Sequence, residues 1–102
     1  MLVRRVPICE MERAVRSGCM RVGATNDPLR RSSEYDRDGY SRCCMLVCPA
    51  RNARVAENHL LTVAFAHGGG YRNVQMSSNY PNCQGFVYVI LAPRRPRLFG
   101  FF

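Results

Sequence analysis

Lysine is absent from this 102-residue sequence, so each of its 15 cationic side chains is an arginine. Acid is scarce too, with seven Asp and Glu in total and none beyond residue 59. No apolar stretch approaches the roughly 20 residues that a membrane-spanning helix needs, which excludes a transmembrane reading. The basic opening Met1-Leu2-Val3-Arg4-Arg5 is followed by no long apolar region, which argues against a secretory signal and favours an intracellular setting. Glu10 and Glu12 interrupt the arginine-rich start and exclude an organelle transit peptide, since such segments are poor in acids. No internal repeat occurs.

The charge that is present is unevenly placed. Of the net +8, residues 1–31 carry +4, residues 32–59 are neutral, and residues 60–102 carry +4. Two basic ends around a neutral middle favour association with a polyanion such as RNA or DNA, or with an anionic surface. Arg94, Arg95 and Arg97, with aromatic Tyr88 and Phe99 nearby, are the densest candidates for gripping phosphates and stacking on bases. Codon bias toward arginine would give the same composition, and no zinc-finger spacing, RNA-recognition string or basic zipper helix is present. Sequence-specific recognition is therefore not expected.

The 47% apolar content is that of a globular chain. It is concentrated in short runs at residues 45–48, 60–66 and 86–92. Helical spacing appears at Met11, Ala14 and Val15, with Gly23 and Asn26-Asp27-Pro28 ending any helix there. Residues 25–42 are rich in turn formers and read as a loop. Pro49 suits a helix start, and Ala50, Ala53, Ala56 and Leu60 continue an apolar stripe. Thr62, Val63 and Phe65 suit a strand, and Phe86-Val87-Tyr88-Val89-Ile90-Leu91 is the clearest strand in the chain.

The expected fold is thus a small, loosely packed α+β arrangement. One short helix near 49–59 packs on two or three strands, including 60–66 and 86–92, with both termini poorly ordered. A single domain at most spans 1–102, with 1–42 weakly ordered, 43–92 as the folded core and 93–102 as a basic-apolar tail.

Six cysteines stand at 9, 19, 43, 44, 48 and 83, and without a secretory signal free thiols are the expected state. Zinc needs four nitrogen or sulfur ligands, usually as two close pairs. Cys44 and Cys48 make one acceptable pair, and Cys43, Cys83, His59 and His67 supply the remaining candidates. The seven residues between His59 and His67 miss finger spacing, so no metal is assigned and the zinc-supported module stays an alternative. Arg30-Arg31-Ser32-Ser33 matches a basophilic kinase pattern, and Asp36, Asp38 and Gly39 offer too few oxygens for a calcium loop.

His67-Gly68-Gly69-Gly70-Tyr71 resembles the oxyanion-hole string of the lipase and esterase branch of the α/β-hydrolases. The resemblance covers about residues 60–96 and implies backbone N–H groups that stabilise an oxyanion. It also implies an apolar strand just before the string. No Gly-x-Ser-x-Gly elbow occurs, and an oxyanion hole without a nucleophile does not hydrolyse esters. The expected function is therefore that of a small basic protein without catalytic machinery, as a short or recently arisen reading frame would give. Polyanion binding through the arginine-rich ends is the main alternative, and no cofactor is implied.

Overall fold

The computed structural model describes residues 1–67 and 84–93. Four strands and three helices alternate along it: β1 (Leu2–Arg5), α1 (Ile8–Ser17), β2 (Arg21–Thr25), α2 (Pro28–Tyr35), β3 (Cys44–Ala50), α3 (Ala53–Ala66) and β4 (Gly85–Leu91). The strands form one mixed sheet in the order β1-β3-β4-β2. β1 runs parallel to β3, and β4 is antiparallel to both of its neighbours, β3 and β2.

This corrects the expectation of one short helix on two or three strands in a loose arrangement. Three helices cover a four-stranded sheet, and Met11, Val22, Met45, Leu60, Val87, Val89 and Ile90 are all sealed from solvent. The 60–66 segment is the second half of α3 rather than a strand. Its β-branched and aromatic content is overridden by burial of Leu60, Leu61 and Ala64, which recur at helical spacing. Pro49 lies in β3 instead of opening a helix. The start signal for α3 is Asn52, whose Oδ1 accepts the Val55 N–H at 3.2 Å.

Residues 28–35, expected as loop, are helical because Asn26-Asp27-Pro28 is a start signal as well as a stop. The Asp27 Oδ1 accepts the Arg30 N–H at 3.1 Å, and Pro28 follows at the first helical turn, where a missing N–H costs nothing. Beyond α2 the chain widens into a π-type turn over Asp36–Tyr40. It reverses at Gly39, where φ is 97° and a side chain would be strained. The Met1 amino group donates to Asp36 Oδ1 at 2.6 Å, tying the first strand to this turn.

Alternation along the strands divides the interior in two. Val22, Leu46, Val87 and Val89 meet Met11 and Val15 of α1 and Leu60, Leu61 and Ala64 of α3. On the opposite face, Met45, Val47, Tyr88 and Ile90 meet Tyr35 of α2, with Tyr40 packed alongside. Helices therefore lie on both sides of the sheet. None of the described helices is long and apolar enough to cross a membrane.

Candidate functional site

The face beneath α2 is where polar chemistry enters the fold. Arg21 opens β2, and β2 pairs with β4 so that Gly23 lies opposite Tyr88. The Tyr88 ring crosses the space above Gly23: a Cβ there would sit 2.3 Å from ring atom Cζ. Glycine is thus required by close approach of an aromatic ring. Laid across β2 in this way, Tyr88 brings its hydroxyl to that of Tyr35, 2.7 Å away. The two rings meet edge-on, with centroids 5.8 Å apart. Burial above all, and then this hydrogen bond, push the Tyr88 phenol well above its ordinary range.

Tyr35 in turn meets Tyr40 edge-on at 5.3 Å between centroids. The Arg21 guanidinium carbon lies 5.9 Å from the Tyr35 centroid and 5.7 Å from that of Tyr40, within cation–π reach of both. Arg21 Nε donates to the Tyr40 hydroxyl at 3.3 Å. That hydrogen bond is the main reason the guanidinium holds its proton still more firmly than an ordinary arginine, while burial pulls the other way. Arg21, Arg31, Glu34, Tyr35, Asp38 and Tyr40 line a cleft of about 220 Å³. Glu34 pairs with Arg31 at 3.3 Å and with Arg30 at 3.6 Å. No described ion pair engages Arg21. One of its five N–H donors is directed to Tyr40, and no described hydrogen bond engages the outer nitrogens.

The expected metal candidates do not converge. Cys43 packs in the tyrosine cluster and Cys44 against the helices of the other face, so their sulfurs lie on opposite sides of the sheet. Cys44 and Cys48 share a face, but four steps along the strand separate them by about 13 Å, too far for one zinc ion. Burial pushes the Cys43 thiol above its usual range, and it donates to the Met20 thioether at 3.7 Å. His59 contacts Glu12 of α1 at 2.7 Å, and His67 ends α3. Among the described residues no three His, Cys, Asp or Glu side chains are grouped to hold a metal.

Cys83, Arg94, Arg95 and Arg97 lie outside the described residues, as does the glycine string after His67. The element before that string is the helix α3, whereas the hydrolase resemblance implies a strand. In the serine pair of the kinase-like motif, Ser32 is buried and donates to the Leu29 carbonyl at 2.7 Å.

Nothing in the sequence singles out Arg21, and its three tyrosine neighbours are spread over residues 35–88. The β2–β4 register and α2 assemble them. The chain matches no protein-family model, curated protein or solved structure.

Proposed function

We propose that this protein binds nucleic acid as a polyanion, with its exposed arginines supplying long-range attraction and the Arg21 cleft gripping one phosphodiester. The observation that carries this reading is the state of Arg21. Its guanidinium rests beside two mutually edge-on tyrosines and has no described carboxylate partner. A guanidinium fixed in this way keeps its planar donor fork and loses little side-chain freedom on binding phosphate.

The surrounding charge supports the same reading. Arg4, Arg5, Arg13, Arg16 and Arg42 are exposed, and no described ion pair engages them. The net charge of +8 places the whole chain in a regime of attraction to polyanions. The reading is of a binding protein rather than a catalyst.

The test is fluorescence anisotropy with a labelled single-stranded RNA 12-mer across about 50–200 mM salt. The logarithm of the association constant is expected to fall linearly with the logarithm of salt. Arg21→Ala should weaken binding and make that slope shallower by about 0.7, the value for one lost phosphate contact on a single strand. Binding that ignores salt, or none at about 50 mM, would refute the proposal.

A further inference from the structure

We infer that the Arg21 cleft accepts one nucleotide of a single strand and prefers a base bearing an exocyclic amino group. The inference rests on the nucleic-acid reading above and adds the identity of the unit that docks.

Size sets the first limit. At about 220 Å³ the cleft is smaller than the roughly 300–1,000 Å³ pockets that enclose drug-sized ligands. Open on one side, it can seat a single base against its wall rather than enclose a larger ligand. Charge sets the second. Two arginines and two carboxylates line it, so its formal charge is close to zero despite the basic surface around it. A densely charged ligand such as a triphosphate would be repelled by the acids. A phosphodiester carries one negative charge, which Arg21 alone can match.

The acids then decide which base fits. A carboxylate is acceptor-only, so the ligand atoms facing it must be donors. Glu34 is already occupied by Arg30 and Arg31. Asp38 is exposed and no described ion pair engages it, which leaves it as the acceptor available to a base. Cytosine, adenine and guanine each carry an amino group that can donate to such a carboxylate; uracil has carbonyl oxygens at those positions, and its one donor, N3–H, is flanked by both oxygens, which repel the acid. Tyr40 is only half-buried, which leaves ring surface beside Asp38 for a base to lie against. In a duplex one hydrogen of each amino group still faces a groove, but the bases stay stacked and cannot lie against Tyr40, so a single strand is the form that meets both Asp38 and the ring.

Cytosine and uracil are nearly the same size and differ chiefly in the group presented to Asp38. The decisive comparison is therefore labelled rC8 against rU8, titrated by anisotropy with the full chain at about 50 mM salt. We expect rC8 to bind about ten-fold tighter or more, the effect of one hydrogen bond to a charged acceptor. Asp38→Asn, at an exposed position, should bring the ratio to near one while rU8 affinity holds or rises. Arg21→Ala should weaken both alike and preserve the ratio. Equal affinities for the unmodified protein would overturn the inference and leave the nucleic-acid reading standing. A preference for rC8 that survives in Asp38→Asn would overturn it too. If neither oligomer binds, both readings fall together.

Discussion

The two faces of the sheet are supplied by the same strands yet are finished in different chemistry. Toward α1 and α3 the strands present valine and leucine, and the helices answer with Met11, Val15, Leu60, Leu61 and Ala64. Toward α2 they present Tyr88 and Arg21 beside Met45, Val47 and Ile90, and Tyr35 with Tyr40 completes the layer. The first face needs only volume and apolarity, which many residue combinations supply. The second needs hydroxyls and a guanidinium in set positions, because a buried polar group left without a partner is costly. One side is built to hold the sheet together; the other holds it together and sets a cation against two tyrosine rings.

The largest expected effect belongs to the aliphatic side. Leu60→Ala should cost about 2–5 kcal/mol in chemical denaturation, since Leu60 is sealed from solvent and its neighbours can collapse only partly. Below its lowered melting temperature that variant should bind RNA as the unmodified chain does. A binding defect in folded Leu60→Ala would break the division between the faces.

Gly23→Ala comes next, at about 1–3 kcal/mol, because the new methyl must displace the Tyr88 ring. Unlike Leu60→Ala, it should also impair binding, since moving Tyr88 disturbs Tyr35 and through it the cleft. A neutral Gly23→Ala would mean that the ring can rest elsewhere.

Tyr88→Phe should cost about 1–2 kcal/mol by leaving the Tyr35 hydroxyl without its partner. In the double variant with Tyr35→Phe, the second substitution should cost less than it does alone. A pH signature accompanies this pair. The folded phenol titrates above the ordinary 10.0, so the folded state favours the protonated form. That contribution is complete below pH 10 and is lost as pH rises above it. Alkaline denaturation should therefore be shallower in Tyr88→Phe, and an unchanged alkaline limb would count against the buried phenol as its source.

Smallest in stability is Arg21→Ala, at about 1 kcal/mol or less, as befits a half-buried cation on two rings. Its RNA affinity should fall far more than its stability. A variant that loses both in proportion would make Arg21 a packing residue.

Parts of this organisation are legible in the residues. The run Phe86-Val87-Tyr88-Val89-Ile90-Leu91 is β4 almost to the residue, and Met11 with Val15 marks the buried stripe of α1. One element, α2, is missed and another, α3, is cut short for a shared reason, that one local signal serves two meanings. Asn26-Asp27-Pro28 closes one segment and opens another, and the apolar run at 60–66 has no clear face because α3 is apolar on more than one side. The four residues of β1 carry too little pattern to stand out, and two of them are arginines. The cleft was beyond reach for a different reason. Arg21 and Tyr88 become neighbours only through strand register, which depends on the whole sheet, and Gly23 shows its purpose only once a ring is seen above it. The charge pattern points toward nucleic acid at Arg94, Arg95 and Arg97, which lie outside the described residues, and gives no hint of the contact proposed at Arg21.

The sheet order has a kinetic consequence. β4 is the last described strand in the chain, yet it occupies an interior position, and it is the only described partner of β2. During synthesis the β1–β3 pair and the helices can form early, while β2 waits with Val22 unprotected until residues 85–91 have left the ribosome. A chain interrupted before that point keeps an unpaired apolar edge, the kind of surface on which aggregation begins. Because the pairing that completes the sheet also seats Tyr88 over Gly23, the arginine site and the finished fold should appear in the same step.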